Sequence, residues 1–440
     1  MGLLPASREL VFPGTTSKAP LLLRGVPEYH KPSPEELVDL AIESHIARVN
    51  KHSLAGGDES FFVADLGQVT RQHRRWTQSL PGVRPYYDPT LLKLLADLGT
   101  GFDCASIEEI RAVLNQGVDP ARILFANPCK SPAALVYARQ AGVIRTTFDN
   151  LDELDNIKAH MPEAQLLLRI YANDDGALIC LGEKFGAHLD TVQPLLSRAW
   201  ELELDVIGVS FHVGTGATNP TSFAKAINHA RLVFTQAQRL GFTPTILDIG
   251  GGFVDSHFEP TASLLRETIR AEFPAGVTVI AEPGRFYARS AYTLACRVIS
   301  RRRQLGSAAA AGVPDMLYQN DGVYGNFMNV IMEKEVMGPS VVEGTRGKDI
   351  SGGKCEKDSE DLSSRGISGA GEQRYSIWGP TCDSIDCVVR ETTLEREVAV
   401  GDWLKYRNMG AYTSTTATQF NGFSSSHDIL YVNSESLPEY

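Results

Sequence analysis

From residue 83 onward the chain alternates short apolar runs with segments of helical period. Strand candidates fall at residues 83–87, 101–104, 123–127, 146–149, 166–171, 206–213, 245–249 and 277–282. Between them, apolar positions spaced three and four apart predict helices at 107–116, 132–141, 151–160, 192–202, 222–240 and 261–273. Eight such units in 200 residues predict an α/β fold of the (β/α)8 barrel type. A doubly wound open sheet is the alternative. It would gather its polar and glycine-rich residues at one switch point, whereas here they recur at nearly every strand end.

The flanking pattern is different. A strand candidate at 20–26 precedes a helix at 34–50, capped by Ser33 and opened by Glu35 and Glu36 at its positive end. An apolar run at 61–66 leads into a basic helix around 71–78. After about residue 290 come short β-type runs at 292–299, 316–319, 375–378, 387–390 and 403–406, which predict a second, mostly β domain. The expected division is a barrel at 59–290 and a β domain built from 1–58 and 291–440. Residues 306–314 are expected to form a loop, and 344–373, rich in Gly, Ser, Lys, Glu and Asp, to be disordered.

One junction in this pattern is too tight. The strand at 83–87 runs directly into a helix with Asp88 as cap, Pro89 in the first turn, and Leu91, Leu92, Leu95 and Leu98 on one face. Gly99 ends that helix. Connections of this kind usually take about 2–6 residues, and none remain.

Composition narrows the class. The 440 residues are 43% hydrophobic and 22% charged, as in soluble globular proteins. A net charge of −11 argues against a general nucleic-acid binder and mildly favours cationic ligands. Seven cysteines without a CxxC pair fit reduced thiols rather than a disulfide framework. No run has membrane-spanning length and the first residues lack a secretory pattern, so a soluble cytoplasmic protein is expected.

Candidate chemistry sits where strands end. Asp103, Asn127 with Lys130, and Arg169 close three of the strand candidates. His212 with Gly214-Thr215-Gly216, Gly250-Gly251-Gly252, and Glu282-Pro283-Gly284-Arg285 close the last three. Two glycine-rich turns beside an arginine supply what a phosphate needs, namely close backbone N–H donors and a forked cation. Glycines that merely make tight turns are the plainer reading of either cluster alone. Glu282 suits a hydrogen bond to a protonated ring nitrogen, and His212 suits stacking on a planar ring. A phosphate cradle, a carboxylate and a ring-stacking histidine together suggest pyridoxal 5'-phosphate. In the stretch WGPTCDSID, Cys382 can pass a proton to a carbanion and Asp383 can hold a substrate ammonium.

The stretches TGFDCAS, FANPCK, SFHVGTG, LDIGGGF, AEPGR, NDGVYGNF, WGPTCDSID and NMGAYT, in this order, resemble the eukaryotic ornithine decarboxylase family of barrel-fold pyridoxal-phosphate decarboxylases. The likeness runs from about Phe61 to Phe423. The resemblance implies that Asp103, Arg169 and His212 surround the cofactor ring. It further implies that Thr215, Gly251, Gly252, Glu282, Pro283, Gly284, Arg285 and Tyr412 hold the phosphate and the pyridinium. Thr215 stands where the family usually has Ser. Cys382 would protonate the carbanion after carbon dioxide leaves, Asp383 would bind the distal amine of L-ornithine, and putrescine would be the product. Because these two residues reach across a dimer interface in the family, an obligate homodimer is implied.

The chain departs from the family twice. There the strand ending in PYY continues A-V-K-C-N, and its lysine forms the Schiff base with the cofactor. Here Asp88 follows Tyr87 at once, so that lysine is absent and severely reduced activity is expected. Lys93 and Lys130 are the candidate substitutes considered: the first is expected to face away and the second to be structural. Second, an aromatic residue, Asp and His of the substrate-binding segment are replaced by Met332-Glu333-Lys334. Glu333 keeps the charge on a longer arm. The alternatives are a non-catalytic relative that binds antizyme, or a decarboxylase of another basic amino acid such as lysine or arginine.

Overall fold

The computed structural model describes residues 32–52, 59–80, 89–173, 177–217, 219–273, 276–343, 373–423 and 427–435. The expected strands at 20–26 and 83–87, the cap Asp88 and nearly all of the 344–373 stretch lie outside the described residues.

Fifteen strands are described. β1 is Phe61–Asp65, and the barrel strands are β2 (Phe102–Cys104), β3 (Ile123–Phe125), β4 (Arg145–Phe148), β5 (Gln165–Arg169), β6 (Asp205–Ser210), β7 (Ile246–Asp248) and β8 (Thr278–Ile280). The second domain adds β9 (Tyr292–Arg302), β10 (Asp315–Gln319), β11 (Ser340–Val341), β12 (Gln373–Trp378), β13 (Cys387–Leu394), β14 (Trp403–Tyr406) and β15 (Asp428–Val432). The helices are α1 (Pro34–His52), α2 (Leu66–Ser79), α3 (Pro89–Asp97), α4 (Ile107–Leu114), α5 (Pro132–Gln140), α6 (Leu151–His160), α7 (Leu189–Glu201), α8 (Pro220–Arg239), α9 (Phe258–Glu272) and α10 (Gly284–Ala288), then the short α11 (Gly306–Ala310) and α12 (Met328–Met332).

Strands β2 to β8 pair in sequence order, every neighbour parallel, with a helix returning between successive strands. This is a (β/α)8-type barrel sheet, seven strands of which are described. The helices start where local chemistry starts them. Ser106 caps α4 through the Glu109 N–H, Ser131 caps α5 ahead of Pro132, and Asn150 caps α6. Inside the barrel Leu124, Ala126, Leu167 and Ile246 pack together, while the larger core lies between strands and helices. Gly208 lets β6 close on β7, since a Cβ there would sit 2.3 Å from the Ile246 carbonyl oxygen.

The two candidate lysines take structural places. Lys93 pairs with Asp97 on the exposed face of α3, while Leu91, Leu92 and Leu95 are buried behind it. The Lys130 side chain is sealed, with Nζ 2.8 Å from Glu153 and donating to the carbonyls of Asn127 (2.8 Å) and Thr147 (2.7 Å). Burial lowers its pKa from the ordinary value and Glu153 opposes the shift. A lysine so spent ties α6 to the ends of β3 and β4.

In the second sheet the strand order is β11-β14-β9-β10-β12-β13, with β1 pairing both β9 and β15. β1 therefore belongs to this sheet, although its residues fall within the segment assigned to the barrel by sequence. Its five residues are all buried, because α1 covers one face and the barrel side covers the other. β15, which the hydrophobic pattern did not predict, lies parallel to β1. Within 306–314, expected as loop, the structure forms α11, consistent with the helical propensity of its alanines.

Candidate active site

The ends of β6, β7 and β8 interlock, and glycine makes that possible. Gly250 has φ +63° and its absent Cβ would lie 2.1 Å from the Phe211 carbonyl oxygen. Gly252 has φ +97°, with 2.4 Å from that position to the Gly214 oxygen. Between them, a Cβ on Gly251 would meet the Glu282 carbonyl and His212 Nε2, each at 2.7 Å. The Ala217 N–H donates to Gly252 O and the Glu282 N–H to Gly250 O, which fixes the three loops to one another.

A cavity of about 700 Å³ opens on this surface. Asp103, His212, Thr215, Gly252, Glu282, Pro283, Gly284, Arg285 and Tyr412 all line it. Of the other sequence-predicted residues, Gly251 supports His212 from behind, and Arg169 acts electrostatically on Asp103, His212 and Glu282. Glu333 reaches the cavity edge by pairing with Arg285. Cys382 and Asp383 lie elsewhere. On the second domain Cys382 is exposed and Asp383 half-buried, and neither is part of this chain's cavity wall.

Three carboxyl groups converge below the cavity. Burial raises Asp103 well above the ordinary carboxylate range, helped by Glu282 and Glu109, and Arg169 pulls it back. Burial likewise raises Asp248, and Glu282 adds to the shift. Glu282 itself is raised by burial against the pull of Arg169. Asp248 and Glu282 act on one another, Glu282 raising Asp248 and Asp248 lowering Glu282, so the two carboxyl groups titrate as a pair. His212 behaves oppositely. Burial, with Arg169 nearby, lowers its pKa to about 3. Its Nδ1 accepts the Gly214 N–H at 3.0 Å, which leaves a neutral ring with the proton on Nε2.

At the other end of the cavity the Arg285 guanidinium lies 4.5 Å from the centroid of the Tyr412 ring. Tyr412 holds φ +56°, a left-handed conformation that costs a bulky residue about 1–3 kcal/mol and is retained where the surroundings enforce it. Arg285 Nε has no hydrogen-bond partner among the described residues.

These donors fit pyridoxal 5'-phosphate. Arg285, the glycine turns and Thr215 offer an anion site. The excess of acid over Arg169 suits a protonated ring nitrogen, and His212 offers an uncharged face. A family model for the pyridoxal-dependent decarboxylases, covering their pyridoxal binding domain, matches residues 66–289. Ornithine decarboxylase of Neurospora crassa is 44% identical over 427 residues, spanning 91% of this chain and 86% of that protein. Ornithine decarboxylase of Saccharomyces cerevisiae is 41% identical, spanning 90% and 86%. The chain belongs to the eukaryotic ornithine decarboxylase family of pyridoxal-dependent decarboxylases. Among solved structures, the arginine decarboxylase of Paramecium bursaria Chlorella virus superposes with a TM-score of 0.77 at 33% identity, covering 90% of this chain and 100% of that one. As a pyridoxal-dependent decarboxylase the chain is a carboxy-lyase by fold and cofactor site.

Several site residues of this decarboxylase were not singled out by sequence. Glu109 lines the cavity, and its carboxylate accepts the Ala105 N–H at 2.5 Å while its own N–H donates to the Ser106 cap. The Ser-x-x-Glu spacing carried that signal. Asp248, two residues before the glycine run, is fully buried and accepts the Gly250 N–H at 2.9 Å. Beside Cys382, the buried Asp386 accepts from Val323 N (2.8 Å), Thr381 N (3.0 Å) and Thr381 Oγ1 (2.6 Å). Asn421 accepts the Cys382 N–H at 3.1 Å, and the Tyr324 hydroxyl donates to Asp383 at 2.5 Å. The described cysteines make no disulfide, and among the described residues no helix is long and apolar enough to cross a membrane.

Proposed function

We propose that the cavity binds pyridoxal 5'-phosphate for the decarboxylation of L-ornithine, giving putrescine and carbon dioxide. The observation that carries this reading is the convergence of Asp103, His212, Glu282 and Arg285 on one cavity. The choice of ornithine rests on the names of the Neurospora and Saccharomyces relatives. When bound, the cofactor supplies an electron sink for the pair left behind by departing carbon dioxide. Glu282, backed by Asp248, holds the proton at the ring nitrogen. His212 covers a ring face without adding charge and excludes water there. Arg285 and the glycine turns bind the phosphate. Cys382 Sγ gives its proton to the carbon that lost the carboxylate, and the Asp383 carboxylate binds the distal ammonium of the substrate.

Because Cys382 and Asp383 lie off this chain's cavity, the first exposed and the second half-buried, the reading includes a homodimer in which each copy supplies them to its partner's site. Exposed Ile385, Phe420 and Phe423 on the same loops support such an interface. Turnover by this chain is expected to be severely impaired. The family's lysine is absent between Tyr87 and Asp88, and Lys93 and Lys130 are both engaged in ion pairs. A second reading, another basic amino acid as substrate, is favoured by Glu333 in place of the family's shorter acid and by the viral arginine decarboxylase likeness.

The test uses the purified chain and a version with the family's Ala-Val-Lys-Cys-Asn inserted between Tyr87 and Asp88. Each is incubated with pyridoxal 5'-phosphate, reduced with borohydride and mapped for modified lysine by mass spectrometry. Products from ornithine, lysine and arginine are then quantified. The expected outcome is labelling and putrescine formation in the restored version, and neither above trace in the chain as it stands. Robust putrescine formation by the unrestored chain would refute the impairment. Faster turnover of arginine or lysine by the restored version would replace ornithine with that substrate, and no turnover of any would refute the decarboxylase reading.

A further inference from the structure

The charges lining the cavity are unequal. Among the described residues on its wall, Asp103, Glu109 and Glu282 are acids and Arg285 is the one cation, since His212 is held neutral. Arg285 already donates to Glu333 through Nη2, which leaves Nε for a phosphate. The acids come from separate elements. Asp103 lies in β2, Glu109 in the first turn of α4 and Glu282 just after β8, and both glutamates act on Asp103. Arg169 acts on Asp103 and Glu282 from the opposite direction, yet both stay raised. A carboxyl group held up by burial and by like charge gains most from a cation brought within hydrogen-bonding distance.

The aldehyde of pyridoxal 5'-phosphate is uncharged and brings no such cation. Nor does it meet an amine here. The described residues lining the cavity include no lysine, and Lys93 and Lys130 are held in ion pairs, the first on the exposed face of α3 and the second sealed against α6. Pyridoxamine 5'-phosphate has the same ring nitrogen and the same phosphate, but an ammonium replaces the aldehyde. Its charge pattern therefore matches the wall at three places: phosphate to Arg285 and the glycine turns, ring nitrogen to Glu282, ammonium to the remaining acids.

We propose that this chain, as it stands, binds the ammonium form of the phosphorylated cofactor, pyridoxamine 5'-phosphate, in preference to the aldehyde form, with Asp103 and Glu109 holding the ammonium. The proposal rests on the reading of the cavity as a pyridoxal-type phosphate site and names the form that this chain selects.

Isothermal titration of the purified full chain with pyridoxamine 5'-phosphate, pyridoxal 5'-phosphate and pyridoxamine tests this. The ammonium form is expected to bind about tenfold or more tighter than the aldehyde form, as a charge-assisted hydrogen bond provides. Asp103→Asn and Glu109→Gln should each shrink that ratio by weakening the ammonium form while leaving the aldehyde form within about twofold. In the lysine-restored version the order should reverse, because the lysine supplies both the missing cation and an anchor for the aldehyde. Aldehyde binding as tight as or tighter than the ammonium form in the unrestored chain would overturn the proposal and leave the cavity reading standing. So would a preference that survives both substitutions. If neither phosphorylated form binds, or if pyridoxamine binds as tightly as its phosphate, the cavity reading falls and the proposal with it.

Discussion

The cavity at the barrel mouth and the 381–386 loop are built on opposite principles. Around the cavity, charge is buried and mutually constrained: Asp103 and Glu282 share the influence of one Arg169, Asp248 is coupled to both of those acids, and His212 is held neutral. The loop instead leaves Cys382 exposed and Asp383 half-buried and hides its scaffold, since Asp386 is 1% exposed. Gly322 and Gly379 leave room for that scaffold, as a Cβ on either would fall within 2.3 Å of an Asp386 oxygen. A cofactor site must exclude water and fix charge before its ligand arrives. Groups that act on a changing substrate, across an interface, must remain reachable. On the function proposed above, the contrast separates binding of the cofactor from use of it.

The largest effect that would break this separation is at Cys382. In the lysine-restored version, Cys382→Ala should lower turnover about 10²–10⁴-fold, the range for loss of a positioned proton donor. Titration should give an unchanged cofactor affinity, because no cavity residue has been touched. A matching loss of cofactor affinity would show that the two regions are not independent.

The barrel was legible in the sequence because parallel strands buried on both faces read as apolar runs, and several are followed by a capped helix. The helix at 151–160 was placed to the residue by its apolar pattern, and in the structure Asn150 caps it. β15 was not legible, because the run Asp428–Val432 is too short to distinguish from a loop until β1 is beside it. Among site residues, those at glycine-marked strand ends were readable: His212, Glu282 and Arg285. Asp248 was not, since an aspartate ending a strand reads as an ordinary cap; only the fold sets it against Glu282. Nor does sequence reveal that Arg285 and Glu333, 48 positions apart, share a hydrogen bond.

Asp248 sharpens the description of the buried acids. Its pKa is raised in the fold, so the protonated form is the stabilising one. That stability is present below the ordinary carboxyl range of about 4 and is lost as pH rises through the raised value. Asp248→Asn cannot ionise, yet it keeps an oxygen for the Gly250 N–H. The cofactor-free variant should therefore melt higher than the unsubstituted chain at pH 8, by about 2–4 °C for each kcal/mol relieved, with the gap closing toward pH 4. Calorimetry at the two pH values decides it. A variant that melts lower at pH 8 would mean that the carboxylate is compensated in place.

The smallest effect is one of constancy. With its pKa lowered to about 3, His212 stays neutral from pH 5 to 8. A group lowered in the fold contributes stability that is fully present above its unfolded value of about 6.5 and is lost progressively as pH falls from there through the folded value. The Gly214 N–H already occupies Nδ1, so protonation there would cost that bond and place a second cation beside Arg169. An NMR titration of the His212 ring should show no transition between pH 5 and 8. A His212 midpoint inside that window would mean that the cavity floor admits water, which would erase the distinction between a sealed cofactor site and an open reactive loop.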